Sequence, residues 1–234
     1  RQFLKVAGIG LTSLAFRPGF DYAELQDNDN IARVAATSVS VYSQPDDASL
    51  IRFQRYRDEI VNVYYEVISD KSPKYNPLWY RVWGGYIHCA NMQRVHVKLN
   101  PVPHSLPEGL HAAEITVPYT QSHLQRKAGL WEPLYRLYHS SVHWVTAIVE
   151  GPDGEPWYRI KDEMFMYDEL DYYIPAINAR LIPLEETTPL SPEIPADQKF
   201  IEVDLSLQQL TAYEMGKVVM KTKISSGLNY QPAG

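Results

Sequence analysis

The residues best suited to covalent chemistry in this sequence are His88 and Cys89, an imidazole beside the chain's one thiol. A thiol with a histidine base can attack an amide carbonyl. The two residues fall in a predicted strand, where consecutive side chains point to opposite faces, so they cannot form a working pair there. A free cysteine is commonly buried as a small apolar residue. We therefore expect no catalytic role for Cys89 and no catalytic residue within this chain.

Histidines could instead bind a metal ion, and four of them recur at intervals of seven or eight residues. They are His88, His96, His104 and His111. The spacing runs across strand and loop sequence and matches no ligand pattern typical of metal sites. We therefore expect no metal site among these histidines.

Aromatic side chains could form a binding surface, since the chain holds 17 Tyr and five Trp. One group in the first half comprises Tyr42, Tyr64, Tyr65, Trp79, Tyr80 and Trp83. Such residues can line a groove for a peptide or glycan. They can equally fill the interior of a small barrel. The sequence therefore leaves the identity of any ligand-binding residues open.

The composition favours a mainly β protein with a hydrophobic core. Apolar residues make up 45% of the 234 positions, and the many Tyr, Trp and Pro residues are typical of strands and turns. A net charge of −6 without any Lys/Arg run argues against binding to nucleic acid. A single cysteine excludes an intramolecular disulfide.

Residues 1–20 are predicted to be an export signal. Arg1 and Lys5 precede an uncharged run over residues 6–16, which is too short to span a bilayer as a helix. The stretch RQFLK resembles the second half of a twin-arginine motif, whose first arginine would precede Arg1. We expect transient contact with the export machinery and a location in the cell envelope, with membrane tethering if the signal stays uncleaved.

Two stretches of the chain carry similar motifs in the same order. Trp79-Tyr80-Arg81 matches Trp157-Tyr158-Arg159, and Tyr86-Ile87 matches Tyr173-Ile174. SVSVYSQ, with Tyr42, heads the first stretch, and ITVPYTQ, with Tyr119, heads the second. Residues 31–100 and 111–183 are therefore predicted to be two copies of one small β-domain.

Two proline-rich segments separate the predicted domains. NPVPHSLPEG (residues 100–109) lies between the copies, and residues 184–198 follow the second copy with several prolines and acidic residues. Both are predicted to be linkers, and the second should be extended.

The first copy resembles bacterial SH3-like domains, in which a Trp-Tyr-x-Val strand leads through a glycine turn to a Gly-Tyr-Ile strand. WYRVWGGYIH carries this pattern, whereas DEMFMYDELDY (residues 162–172) replaces the tight turn in the second copy. The resemblance implies two small SH3-like barrels.

Residues 199–234 resemble the start of an L,D-transpeptidase catalytic domain. Its opening pattern is Ile-x-Val-Asp-Leu-x-x-Gln-x-Leu, then Tyr-Glu-x-Gly-Lys-x-Val and Ser-x-Gly. The matching residues are Ile201, Val203, Asp204, Leu205, Gln208, Leu210, Tyr213, Glu214, Gly216, Lys217, Val218, Ser225 and Gly227. QPAG (residues 231–234) lies where that family has a Thr-Pro-x-Gly turn, but it lacks the Thr.

This resemblance implies a peptidoglycan cross-linking enzyme whose partners are wall stem peptides and which needs neither a metal nor an organic cofactor. The family's His-Gly and Ser-x-Gly-Cys-x-Arg elements do not occur in this sequence, so we expect them beyond Gly234 and the chain alone to be inactive. The alternative is a wall-binding protein without catalysis. A cell-wall cysteine peptidase is disfavoured, because such enzymes lack the hairpin motif of residues 201–228. Nothing in the sequence fixes the oligomeric state.

Overall fold

The computed structural model describes residues 22, 25–26, 28–72, 76–126, 129–162 and 170–225. The chain divides between residues 182 and 183 into two compact units. All strand pairs in the described ranges are antiparallel, and the only helical pieces there are short 3-10 turns. The prediction of a mainly β fold is confirmed. In these ranges no helix is long and apolar enough to cross a membrane.

The first copy of the repeat forms eight strands in two sheets. They are β1 (Ile31–Val34), β2 (Ser38–Tyr42), β3 (Ile51–Tyr56), β4 (Ile60–Asn62), β5 (Tyr65–Ile68), β6 (Leu78–Val82), β7 (Gly85–His88) and β8 (Met92–Val95). One sheet has the order β4-β1-β8 and the other β3-β2-β7-β6-β5.

The second copy forms seven strands in one sheet. They are β9 (His111–Ile115), β10 (Tyr119–Gln125), β11 (Trp131–Tyr138), β12 (Val142–Glu150), β13 (Pro156–Asp162), β14 (Leu170–Pro175) and β15 (Ala179–Leu181). Their order is β11-β10-β14-β13-β12-β9-β15. The first copy has the same order once β4 and β5 are joined, because together they occupy the place of β12. The break at residues 63–64 is what divides the first copy into two sheets.

The barrels expected from the sequence are open in the described residues. The outer strands β11 and β15 of the second copy do not pair with each other, and neither do β3 and β8 of the first. Closure would need those two edges to meet through continuous backbone hydrogen bonds. The first copy therefore surrounds its core with two open sheets and the second copy with one.

The matched motifs occupy equivalent positions in the two copies. Tyr80 pairs with Ile87, and Tyr158 pairs with Ile174 in the same register. The proposed equivalence of Tyr42 and Tyr119 is wrong. Tyr42 is the residue of β2 that pairs with β7, and His123 holds that place in β10. ITVPYTQ does not correspond to SVSVYSQ, because it spans the end of β9, a turn and the start of β10.

Gly85 allows β7 to approach β2 closely. A Cβ at this position would lie 2.1 Å from the carbonyl oxygen of Tyr42, and that contact is with backbone rather than a movable side chain. The second glycine of the WGGY motif is thus required by the sheet itself.

Strand β1 is buried on both faces and joins the cores of the two copies. Ala32 and Val34 pack into the core of the first copy, while Ile31 packs with residues of the second. Arg33 shares the face of Ile31 and pairs with Asp58, whose other oxygen pairs with Arg136 of the second copy. The two copies therefore form a single compact unit.

The predicted linker at residues 100–109 begins inside this unit. Asn100 is buried, and its side-chain amide donates to Thr116 Oγ1 at 2.6 Å and to the carbonyl oxygen of Ile177 at 3.2 Å. Val102 and Leu106 pack against the second core. The start of this segment is therefore held in place by the second copy.

The second unit contains a three-stranded meander of β16 (Lys199–Asp204), β17 (Gln209–Glu214) and β18 (Lys217–Lys223). Met215 and Gly216 have φ of 49° and 73°, as a two-residue type I′ hairpin turn requires. Residues 184–198 before it hold two 3-10 turns, Leu184–Thr187 and Ala196–Gln198. The hairpin predicted around residues 214–217 is confirmed.

The predicted export signal, the residues 163–169 that replace the tight turn, and the QPAG stretch lie outside the described residues.

Backbone amides of β17 are expected to exchange with solvent roughly two orders of magnitude faster than those of β13. Strand β18 beside β17 is exposed throughout and most of β16 is exposed, whereas β13 lies in the buried core of the first unit. Hydrogen exchange followed by mass spectrometry checks this. Equal protection of the two strands would contradict it.

Candidate ligand-binding surface

The aromatic residues singled out from the sequence divide into core and surface groups. Tyr80 is buried in the core of the first copy. Tyr64, Tyr65 and Trp83 are more than half exposed. Trp79 is also buried, but it lies on the opposite sheet face from Tyr80, since the two are adjacent in β6. We call that face, which carries Trp79 and Arg81, the outer face of the first copy.

Trp79 is held on the outer face by three neighbours. The rings of Tyr42 and His88 meet it edge to face, with centroids 5.5 Å and 5.1 Å away. Its indole N–H donates to Ser72 Oγ in the loop before β6. Trp79 is therefore buried beneath the surface, and a ligand would contact the residues beside it.

A row of four side chains crosses the outer face beside Trp79. Tyr65 pairs with Arg81, Arg81 with Tyr86, and Tyr86 with Tyr42, so the row runs over four adjacent strands. The Arg81 guanidinium lies 5.1 Å from the centre of the Tyr86 ring. The pKa of Tyr86 is raised, first by its hydrogen bond with the Tyr65 side chain and then by desolvation. The row therefore consists of three tyrosines and one arginine.

The second copy repeats this arrangement around Trp157. His123 and Trp131 pack on it with centroids 5.3 Å and 5.4 Å away, and its indole N–H donates to Asp153 Oδ1 at 2.9 Å. Trp131 also meets Tyr173 edge to face. The two copies thus share a buried tryptophan that is capped by aromatic rings and anchored to the preceding loop.

The arginine of the second copy has a different electrostatic environment. Arg159 Nε donates to Thr146 Oγ1 at 2.8 Å, and its Nη1 lies 3.9 Å from a carboxylate oxygen of Asp171. Arg81 has no carboxylate within salt-bridge distance among the described residues. Its Nη1 instead donates to the carbonyl oxygens of Val82 and Gly85. Within the described part of the chain, Arg159 thus has a neighbouring carboxylate and Arg81 has none.

The second copy also contains a small cleft beside Trp157. It is lined by residues that include Tyr22, Tyr119, His123 and Asn178, and its volume is about 10 Å³. That is about the room needed for one water molecule, so this cleft is too small for an organic ligand.

Cys89 is positioned as a structural residue. It lies in the 3-10 turn after β7 rather than in the predicted strand, and its thiol donates to Asn76 Oδ1 at 3.2 Å. Burial raises the pKa of the thiol, which opposes formation of the nucleophilic thiolate. His88 contacts the carbonyl oxygen of Asn76 and caps the same turn through Nδ1. No histidine–thiol pair is formed.

The other histidines highlighted by their spacing are dispersed. His96 packs against His139 with ring centroids 4.4 Å apart, and His111 contacts the carbonyl oxygen of Pro107. Across the described ranges, no group of three or more His, Cys, Asp or Glu side chains is placed to hold a metal ion.

Acidification below about pH 6.5 is expected to destabilise the first unit. Burial lowers the pKa of both His123 and His139 below the ordinary value of 6.5. Between the lowered and the ordinary pKa, the unfolded chain binds more protons than the folded one, so stability rises with pH and is lost as pH falls. Thermal unfolding at pH 7.5 and 5.5 measures this.

His139→Gln should reduce the drop in Tm between these two pH values, whereas His104→Gln, at an exposed position, should leave the drop unchanged. An unchanged Tm for the unaltered chain over this range would contradict the assignment.

Sequence reasoning missed Arg81, Tyr86, Trp131, His123 and Tyr173 as members of these surfaces. Arg81 could have been found, because alternation in a strand places it on the same face as Trp79. Trp131 and His123 could not, since their approach to Trp157 depends on how β10 and β11 fold over the sheet.

Comparison with known proteins does not assign the chain to a family. No protein-family model matches it, and no curated protein matches it significantly.

Proposed function

We propose that the chain is the wall-directed front part of an exported L,D-transpeptidase, with two SH3-like modules ahead of the first strands of the catalytic domain. The observation that carries this proposal is the meander β16-β17-β18. Within residues 199–225, the stretch that resembles the family's opening pattern forms three paired strands, and the hairpin expected at residues 214–217 joins the last two. Asp204 of that pattern caps the first turn by accepting from the N–H groups of Ser206 and Leu207, both at 2.9 Å.

The meander exposes apolar side chains on both of its faces, which supports its role as one layer of a larger domain. Cross-strand rows place five apolar side chains on one face: Ile201, Val203, Leu210, Ala212 and Met220. Ile201 and Met220 are at least half exposed. The other face carries Glu202, Thr211 and Lys221 in one row and Phe200, Tyr213 and Val218 in the next. An apolar sheet face of this kind is normally covered by further structure.

The family's reaction defines what this chain would contribute to the enzyme. A histidine takes the proton of a cysteine thiol, and the thiolate attacks the amide carbonyl before the terminal D-Ala of a stem tetrapeptide. The C–N bond breaks, D-Ala leaves with the proton from the histidine, and the acyl group stays on the cysteine as a thioester. An amine of a neighbouring stem then attacks the thioester, which forms the new amide and releases the thiol. Those residues belong to elements that we expect downstream of Gly234. The contribution of the present residues is to place the enzyme on the wall.

A wall-binding protein without catalysis is the second candidate. It is favoured by the two Trp-centred surfaces, because both are built from residues of the two copies and neither needs a catalytic domain.

Cosedimentation of the purified chain with peptidoglycan sacculi tests the feature common to both candidates. We expect most of the chain in the pellet, and a chain that stays in the supernatant would contradict both. Formation of cross-linked dimers from purified tetrapeptide units by the complete gene product separates them. Dimer formation that is abolished by thiol alkylation supports the transpeptidase.

A further inference from the structure

Arg81 offers a partly satisfied guanidinium to solvent. Two carbonyl oxygens accept from its Nη1 and fix its position, while its Nε and Nη2 groups have no acceptor among the described residues. These two nitrogens form the fork that binds both oxygens of a carboxylate. Arg81 forms no ion pair with a described residue, so its positive charge can meet the anionic group of a ligand.

The tyrosines on both sides of Arg81 form an aromatic platform. Tyr65 is 53% exposed, and Tyr86 and Tyr42 are half-buried in the same row. Neighbouring strands lie about 4.8 Å apart, so the row spans about 14 Å, the length of roughly four residues of extended peptide. A peptide that lies along the row would stack on the rings and place a carboxylate on Arg81.

We propose that the outer face of the first copy binds the free carboxylate of a wall stem peptide, with Arg81 as the anion-binding residue and the tyrosine row as the platform. The identity of the peptide rests on the function proposed above, whereas the carboxylate preference rests on Arg81 alone. The second copy lacks this activity, because Asp171 already lies close to Arg159.

The test is an NMR titration of the full chain with a synthetic stem tetrapeptide that ends in a free D-Ala carboxylate. The same peptide with a C-terminal amide serves as the ligand control. Arg81→Gln is the main variant, and Arg159→Gln is its matched control in the second copy. Tyr65→Ala alters an exposed residue of the row, so it provides a second variant that does not disturb the hydrogen bonds of Arg81.

We expect the free-acid peptide to bind about tenfold or more tightly than the amide, since a charge-assisted, two-pronged hydrogen bond is lost with the carboxylate. Arg81→Gln should lose the same factor, Tyr65→Ala should bind several-fold more weakly, and Arg159→Gln should bind like the unaltered chain. Equal binding of acid and amide, or equal effects of the two arginine variants, would overturn the inference.

Failure of this inference can be told apart from failure of the proposed function. If the chain pellets with sacculi but binds the free-acid and amide peptides equally, only the proposed Arg81 site is contradicted. If the chain binds the free-acid peptide but not sacculi, the carboxylate site is supported and the wall-directed function is contradicted.

Discussion

Replacing Asp58 with Ala is expected to lower the free energy of unfolding of the first unit by about 3–5 kcal/mol. The Asp58 carboxylate is 3% exposed and accepts from Arg33 Nη1 at 2.7 Å and from Arg136. Arg33 is itself buried, with its guanidinium 4.1 Å from the centre of the Tyr138 ring. Removing the carboxylate leaves this charge without its compensating partner, which costs far more than the net value of the pair.

Backbone strain adds to the loss at this position. Asp58 has φ of 69°, a left-handed conformation that Ala adopts at a cost of about 1 kcal/mol and that Asn tolerates well. Asp58→Asn should therefore be less destabilising than Asp58→Ala while still removing the charge. Urea unfolding of the full chain, followed by tryptophan fluorescence, measures both variants.

Glu132→Ala is the control for removing an ion pair from the surface. Glu132 pairs with Arg126 at 3.0 Å, with about half of each side chain exposed. A loss below about 1 kcal/mol is expected for such a pair. If Asp58→Ala costs no more than this control, Asp58 does not bind the two copies together.

Replacing Trp157 with Ala is expected to lower the free energy of unfolding by about 3–5 kcal/mol. Trp157 is fully buried, and its removal would empty the space between Trp131 and His123 and strip Asp153 of the indole donor. The rings that cap this residue could not collapse fully into the cavity, because strands β10 and β11 hold them in place.

Trp83→Ala is the matched control, since Trp83 is 66% exposed and contacts mainly Phe53. We expect a loss below about 1 kcal/mol there. The same urea titration compares the two. Similar losses for both variants would show that Trp157 is not the structural centre of the second copy.

Strand positions and the repeat could be predicted from the sequence because they depend on local patterns. The Trp-Tyr-Arg and Tyr-Ile motifs lie in strands of matching register, and the turn at residues 151–154 closes between β12 and β13 as Pro and Gly indicate. The hairpin between β17 and β18 follows from alternation and from the turn preference of Met215-Gly216, whereas the turn between β16 and β17 was not predicted.

Contacts between distant strands could not be predicted in this way. Nothing in the sequence around Asp58 indicates that it meets Arg136, 78 residues away, because that contact depends on how the two copies pack. The burial of β1 on both faces has the same origin. The equivalence of Tyr42 with His123 was hidden because the two differ in residue type and share only a position in the sheet.

The binding surface was partly predictable for a related reason. The sequence identified an aromatic group, and the structure separates its core member Tyr80 from the outer-face residues Tyr42, Tyr65 and Trp79. The two surfaces differ in charge. Asp171 lies beside Arg159 in the second copy, whereas Arg81 of the first copy has no acidic neighbour among the described residues. The shared Trp-Tyr-Arg motif does not predict this difference between the two copies.

The central claim, that this chain belongs to an L,D-transpeptidase, is tested most directly by reading the coding frame downstream of the codon for Gly234. The account predicts a continuous frame that encodes a His-Gly element followed by Ser-x-Gly-Cys-x-Arg. A stop codon at that point, or a continuation without these elements, would contradict the assignment as a transpeptidase and would favour the wall-binding protein without catalysis.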